Sequence, residues 1–492
     1  MTPHDTTPST TEVLATDFGA CGDGRTDDTA ALQRALDSGA PRVVIPPGCY
    51  LIRRVLEPAA GQCVVINGTL KIADAEQTPL ARDVRSGDTT VLVRDASVFQ
   101  VGDTISLHDD NLPIQGGGRK VRRERAGHGT ILAIDGNVLR LDRAALREFT
   151  PAANGLAARQ NGALWIRHSG VRICGTGSLD GNWSNQLNAA PGFLDVDRSE
   201  VFQAASGVTV MGEAWLENII VEGITIENFT LHGVSLTRTE MSTVRNVTVR
   251  GVHDKSIMLW HCRDCRIVGN VCRDSIFEDG IMLHQVFDPL LDCRRIFIEG
   301  NTCRNNPRFG IHVGDGHSEI HLANNLIIEN GMNLSIYGEH CTSTADVASG
   351  TTDRLFLASV YRPNVLLAGR HISVCNLSAR GTRFVGVEIC GQHIRLNGGL
   401  VGPMDDPLPC DEPGAIRPAL GEWGRGSGEF FVDGDCRIGI AVLPGLTGPG
   451  KTNTPADVSI EGVMIRGCRL ETEVSPSAER VTVESLLAAC RT

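Results

Sequence analysis

Ile219-Ile220-Val221-Glu222-Gly223-Ile224-Thr225-Ile226, followed by Gly233-Val234-Ser235-Leu236, is a unit of two short apolar stretches that returns four more times before Glu339. The later first stretches are Val244-Arg245-Asn246-Val247-Thr248-Val249, Arg266-Ile267-Val268-Gly269-Asn270-Val271-Cys272, Ile296-Phe297-Ile298-Glu299-Gly300-Asn301-Thr302-Cys303 and Asn325-Leu326-Ile327-Ile328. Their partners are Ser256-Ile257-Met258-Leu259, Gly280-Ile281-Met282-Leu283, Gly310-Ile311-His312-Val313 and Asn333-Leu334-Ser335-Ile336. Within each partner the apolar residues alternate, the period of a half-buried strand. Laid in one column, Ile226, Val249, Cys272, Cys303 and Ile328 advance by 23, 23, 31 and 25 residues. Each step is one coil of a parallel solenoid, with the longest step absorbed by a loop between Gln285 and Arg294. A coil cannot bury its own apolar face, so stacking supplies the core. Ile372-Ser373-Val374-Cys375 and Gly462-Val463-Met464-Ile465 are expected to continue the column.

Working outward, Asn228, Asn305 and Asn330 stand two residues past column members and are expected at corners that need a left-handed residue. Cys272, Cys303 and Cys375 read as small buried hydrophobes. His261-Cys262-x-x-Cys265 lacks the second pair of a zinc site and reads as structural, so no metal is expected. Gly175-Thr176-Gly177 reads as a corner with no helix after it, and no cofactor is expected.

Composition agrees with a solenoid. The 492 residues are 41% hydrophobic, yet 14 Phe, 5 Trp and 3 Tyr stand against 55 Gly, so the core is aliphatic and the chain turns often. A formal net charge of -12, with lysine only at Lys71, Lys120, Lys255 and Lys451, argues against a nucleic-acid partner. No run of about 18 apolar residues is present, so no membrane partner is expected. Met1 to Leu14 is polar, without the apolar stretch of a signal peptide, and the expectation is a cytoplasmic protein whose 16 cysteines stay reduced.

Near the start, Asp17-Phe18-Gly19-Ala20-Cys21-Gly22-Asp23-Gly24-Arg25-Thr26-Asp27-Asp28-Thr29-Ala30-Ala31 precedes Ile45-Pro46-Pro47-Gly48-Cys49-Tyr50. Thr26 or Asp27 is expected to cap a helix that buries Ala31, Leu32, Ala35 and Leu36 and ends at Gly39. This run resembles the N-terminal signature of the pectate-lyase superfamily. The resemblance implies an all-β fold, a single-stranded right-handed parallel β-helix with an N-terminal capping helix. Members include polygalacturonase-like hydrolases, polysaccharide lyases, alginate epimerases and phage tailspikes, so the resemblance does not choose an activity.

The expected organisation is a flexible tail at 1–14, a cap and first coils at 15–86, and an inserted antiparallel β module at 87–145. Central coils with the active groove follow at 146–345, then C-terminal coils, a long loop and an end cap at 346–492. The module carries a basic loop, Gln115 to Arg125; the long loop is Met404 to Gly428; Ser477 to Cys490 is expected to cover the far end.

On the second strands Val234, Ile257, Ile281, Ile311 and Leu334 point inward. Ser235, Met258, Met282, His312 and Ser335 then form one outward column, and Thr237, Trp260, His284, Gly314 and Tyr337 the next. His232, Asp254, Lys255, Glu278, Asp279 and Arg308 stand just before these strands, and Asp315, His317 and Glu339 after them. The catalytic candidates are Asp279, Glu278, His284, His312, Asp254 and Lys255. The binding candidates are Arg308, Asp315, Tyr337, Trp260, Arg238, His232 and Glu339.

Glu278-Asp279 is similar to the Asp-Asp of polygalacturonase-like enzymes, where carboxylates serve as acid and as base for water. The chain departs from the Asn-x-Asp, Gly-His-Gly and Arg-x-Lys of that family, with His232-Gly233-Val234 and Arg308-Phe309-Gly310 in the first two places. Asp-Gly is also an ordinary turn, so a corner role stays open beside a catalytic one. Hydrolysis of a glycosidic bond is the first reading. Elimination or epimerisation of a uronate or biosynthetic intermediate through His, Lys, Arg or Tyr is the second. A non-enzymatic tailspike-like glycan binder is the third. The partner is a carbohydrate or small molecule, and a homo-oligomer, trimer or dimer, stays open.

Overall fold

The computed structural model describes residues 12–109, 111, 114–115, 119–120, 127–145, 147–159, 162–186, 205–276, 278–284, 292–351, 363–381, 385–402, 438–448, 451–466, 470–484 and 487–489. The repeats form a parallel β-helix. One coil runs through the strands Val234–Glu240, Thr243–Arg245 and Thr248–Arg250, and the next through Ile257–Arg263, Arg266–Val268 and Val271–Arg273. Each strand pairs in parallel with its counterpart one coil on, as in Val234↔Ile257, Val244↔Ile267 and Val249↔Cys272. A coil therefore has three faces. The first stretch of the unit, read as one strand from sequence, is broken in two by a left-handed residue such as Gly223 (φ 75°).

Three columns of left-handed residues make the corners. Met241 donates its N–H to the carbonyl before Asp264, Asp264 to that before Arg295, and Glu319 to that before His340. Asn228 and Asn305 lie at such corners, with φ of 58° and 57°, but Asn330 does not; Glu329 (φ 57°) turns the chain there. Asn330 instead points inward, donating to Asn333 Oδ1 at 2.8 Å. A matching buried ladder joins Asn270, Asn301, Asn325 and Asp346, each amide donating to the next oxygen at 2.9, 3.0 and 2.8 Å. These amides satisfy corner backbone groups that no water reaches.

The inward column is Ile226, Val249, Cys272, Cys303, Ile327, Ala348, Ala379, Val401 and Ile465. Ile327 takes the place expected for Ile328, because the corner at Glu329 shifts the register by one, and that turns a side chain to the opposite face. The stretch 372–375, expected to continue this column, lies instead on the preceding face, paired with Thr342–Thr344, so Ala379 takes the column place. Cys375 is turned out of the core because its neighbour Val374 faces in. Cys262 and Cys265 are fully buried, with their thiols directed at backbone carbonyls.

At the N-terminal end the helix Thr29–Leu36 buries Ala31, Leu32, Ala35 and Leu36 in the same core as Val43, Ile45, Tyr50 and Ile52. Its N-cap is Asp28 rather than Thr26 or Asp27, and its C-cap is Asp37 rather than Gly39. The Asp28 carboxylate is occupied elsewhere, accepting from the N–H groups of Cys21 at 2.6 Å and Gly22 at 3.1 Å. Glu12–Leu14, expected in a flexible tail, is a strand paired with Arg42–Val44.

The insertion is an antiparallel sheet of six strands in the order Gln77–Pro79, Leu156–Arg159, Thr104–His108, Gly127–Asp135, Val138–Leu141 and Thr90–Leu92. Its strands thus reach from Gln77 to Arg159, beyond 87–145. Leu80, Val91, Ile105, Leu107, Ile131, Leu139 and Phe149 give it a core of its own. At the far end, Glu479–Glu484 and Leu487–Ala489 pair with Ala456–Glu461 and Met464–Arg466 as one more coil. Most of the basic loop, the loop at 285–291 and the long loop at 404–428 lie outside the described residues.

Candidate active site

The long strands carry the expected outward column in register: Ser235, Met258, Met282, His312, Ser335 and Leu366 stack coil on coil. This column is not an open strip. Met258, Met282 and His312 are nearly buried and Ser335 fully so. Outside the main core, Phe309, Met332, Leu366, Ala368 and Cys390 form a small further apolar cluster, with Tyr337 packed against it. His312 lies within this floor, stacked on Phe309 at 4.4 Å, edge to face with Tyr337 at 5.6 Å, its Nδ1 2.5 Å from Ser335 Oγ.

The corner before these strands brings charge together, one or two residues per coil. His232 Nδ1 is 3.3 Å from Asp254 Oδ2; Lys255 Nζ is 2.5 Å from Asp254 Oδ1 and 3.8 Å from Glu278 Oε2. Arg308 pairs with Glu278, and its Nη1 is 3.8 Å from Asp279 Oδ2. Asp279 Oδ1 accepts from the Phe309 N–H at 3.0 Å. Its Oδ2 is buried with no hydrogen-bond partner among the described residues. Asp254, Lys255 and Asp279 are all buried, whereas Arg308 is 29% exposed and forms the rim.

Burial and the neighbouring Glu278 charge raise the Asp279 carboxyl to about 7, against the pull of Arg308 and Lys255. Burial works against the ammonium of Lys255, but the carboxylates of Asp254, Glu278 and Asp279 hold its pKa above the ordinary value. Burial, with Arg308 adding repulsion, keeps His312 well below the usual imidazole range. Burial and Lys255 do the same to His232. The corner thus joins a protonatable carboxyl, two carboxylates paired with cations, and a neutral imidazole close by.

Of the sequence candidates, His232, Asp254, Lys255, Glu278, Asp279 and Arg308 meet in this cluster, with His312 and Tyr337 on the adjoining floor. Trp260 and His284 stack on each other at 5.6 Å one column further along. Arg238 and Glu339 stand apart: the first is a left-handed residue inside the strand Val234–Glu240 whose Nη1 donates to the Glu213 carbonyl, and the second is half exposed beside Arg370. Asp315 lies in the turn after the strand. His317, close by, uses both ring nitrogens, on the Cys293 N–H and the His284 carbonyl. The sequence missed the Phe309 amide and the Ser335 hydroxyl as partners. A backbone donor leaves no residue-type signal, and Ser335 was visible only as a column member. Among the described residues no three His, Cys, Asp or Glu side chains converge on a point a metal ion could occupy.

Coils, capping helix and corner cluster together define a right-handed parallel β-helix protein. Residues 190–350 match the family model described as right handed beta helix region, and residues 13–71 the model described as rhamnogalacturonase A/epimerase, pectate lyase-like. Over 87 residues the chain is 38% identical to mannuronan C5-epimerase AlgE2 of Azotobacter vinelandii, a match covering 16% of this chain and 9% of that protein. Among solved structures, the AlgE6 A-module of mannuronan C-5 epimerase from Azotobacter vinelandii superposes with a TM-score of 0.50 at 12% identity, covering 97% of this chain and all of that one. An N-terminal fragment of gene product 12 of bacteriophage phi29 gives 0.57 at 13% identity, covering 96% of this chain and 65% of that one. At these identities the structural likeness shows the fold alone.

Proposed function

We propose that the protein is a carbohydrate-active enzyme that uses the charged corner before the long strands for acid/base chemistry on a glycan. The observation that carries this is Asp279: a carboxyl with its pKa near 7 and one oxygen without a hydrogen-bond partner, beside two carboxylates paired with Lys255 and Arg308. A carboxyl protonated near neutrality is suited to donate to a departing glycosidic oxygen. Glu278 or Asp254 then activates water, and the bond breaks by hydrolysis. The proton comes from Asp279 Oδ2, and the Arg308 guanidinium at the rim must move aside for a sugar to reach it. Trp260 and Tyr337 offer rings against which a sugar can lie.

A second reading, proton removal from a uronate, has its own support in the local 38% identity to a mannuronan C5-epimerase and in the neutral His312 as base. Incubating the protein with neutral and uronate oligo- and polysaccharides, read by mass spectrometry, separates the two. Products that together gain one water mark hydrolysis. Elimination gives fragments without added water, and epimerisation leaves the mass unchanged but incorporates deuterium from heavy water. No change in any glycan counts against both readings.

A further inference from the structure

The corner column that follows the long strands includes His340, His371 and His393 on successive coils, with φ of 53°, 53° and 55°. All three are exposed. Their rings lie parallel, 4.6 Å apart for the first pair and 4.5 Å for the second, with interplanar angles of 1°. Histidine is one of the residue types a left-handed position tolerates, but the other two corner columns meet the same requirement mainly with Asn and Gly, so the turn alone does not require three histidines in succession. The next member of the column is Asp457, whose Oδ2 is 3.3 Å from His393 Nδ1. Arg480 in turn clamps Asp457, its Nη2 donating to Oδ2 at 2.9 Å.

We propose that His371 and His393 form a surface site for a divalent first-row transition ion such as Ni2+, Cu2+ or Zn2+, with His340 as an alternative partner for His371. Imidazole is the donor these ions take up readily. A carboxylate behind a ligating histidine fixes its tautomer and ring orientation, and Asp457, itself held by Arg480, is placed to do this for His393. Two imidazole nitrogens on a tetrahedral ion with bonds of about 2.0–2.1 Å stand roughly 3.4 Å apart. Rings stacked 4.5 Å apart therefore have to close by about 0.6 Å each and also swing out of the parallel stack so that their in-plane lone pairs converge on the ion, a rotamer adjustment open to exposed side chains. Two protein ligands leave the remaining coordination positions to water or to an outside group. The site lies at the opposite end of the long strands from the Asp279 cluster and does not depend on the proposed activity.

The test is a calorimetric titration of Ni2+ into the untagged protein, comparing wild type with His371→Asn and Asp457→Asn. Asparagine suits a left-handed corner, so His371→Asn keeps the turn while leaving His340 and His393 two coils apart. All other histidines and thiols are common to the three proteins and cancel in the comparison. The expected result is a site weakened at least about tenfold by His371→Asn and about tenfold by Asp457→Asn, within the range for carboxylates behind ligating histidines. Unchanged nickel binding in His371→Asn overturns the proposal, and unchanged binding in Asp457→Asn overturns His393 as the oriented ligand.

Discussion

The Phe309 N–H donates to Asp279 Oδ1 at 3.0 Å from one coil to the next, while Asp279 Oδ2 is left buried without a hydrogen-bond partner among the described residues. This split environment fixes the carboxyl in place and penalises its charge. The folded pKa is about 7 against an ordinary 3.8, so the contribution of this group to stability is fully present below about pH 4 and is lost as pH rises through about 7. Asp279→Asn keeps an acceptor for Phe309 and removes the titration. Urea denaturation at several pH values should show the variant gaining on wild type steadily from pH 4 to 7; parallel stability curves would mean the carboxyl is not perturbed.

Lys255 is the hinge of the charge balance. Its ammonium is 3% exposed and serves Asp254 at 2.5 Å and Glu278 at 3.8 Å. Lys255→Met strands buried carboxylates and should cost about 3–5 kcal/mol in denaturant unfolding. Adding Asp254→Asn should recover part of that loss. A single variant within about 1 kcal/mol of wild type would show that water already solvates the cluster.

Asn301 sits in the middle of a buried amide ladder. It donates to the Ile267 carbonyl at 2.8 Å and to Asn325 at 3.0 Å, and its oxygen accepts both the backbone and side-chain N–H of Asn270 at 2.9 Å. Asn301→Ala leaves several of these groups unsatisfied in the core and should cost roughly 2–4 kcal/mol by thermal or chemical unfolding. A near-neutral effect would imply that the coils do not need the ladder.

Gly310 is the second residue of the strand Phe309–Val313 that carries His312. A Cβ there would come within 2.2 Å of Ile327 Cγ2 and 2.8 Å of the Asn333 carbonyl, so Gly310→Ala must push neighbouring coils apart. The expected cost exceeds about 3 kcal/mol, with loss of any activity that depends on the Phe309 contact to Asp279. Gly300→Ala meets nothing within 4 Å and has only its φ of 63° to oppose it, so about 1–2 kcal/mol is expected. Equal melting temperatures for the two variants would contradict this packing.

The solenoid and the corner where charged residues gather could be read from residue pattern, because a coil repeats its chemistry at nearly fixed spacing. The inward faces of Ile257, Ile281 and Ile311, and the outward column from Ser235 to Ser335, follow directly from strand alternation. What misled was the corner. A left-handed residue can be Asn or Gly, but also Glu329, so the Asn330 signal points one residue past the true turn and to Ile328 in place of Ile327. Asp28 shows the same limit at the helix, where a capping residue type is drawn off by the Cys21 and Gly22 amides. The edges of the inserted sheet were missed because Gln77–Pro79 and Leu156–Arg159 are short and gain their partners only in three dimensions. At the site, the gathering of His232, Asp254, Lys255, Glu278, Asp279 and Arg308 was visible in the repeats. Their burial was not, since periodicity says which side of a strand a residue takes and not what covers it.

The most direct test of the acid/base reading is turnover of a responsive glycan by wild type and by Asp279→Asn, measured across pH. The expected result is a loss of about 100-fold or more in the folded variant, with the wild-type rate falling as pH rises above about 7. Full turnover by Asp279→Asn with the wild-type pH profile would contradict the assignment of Asp279 as the acid.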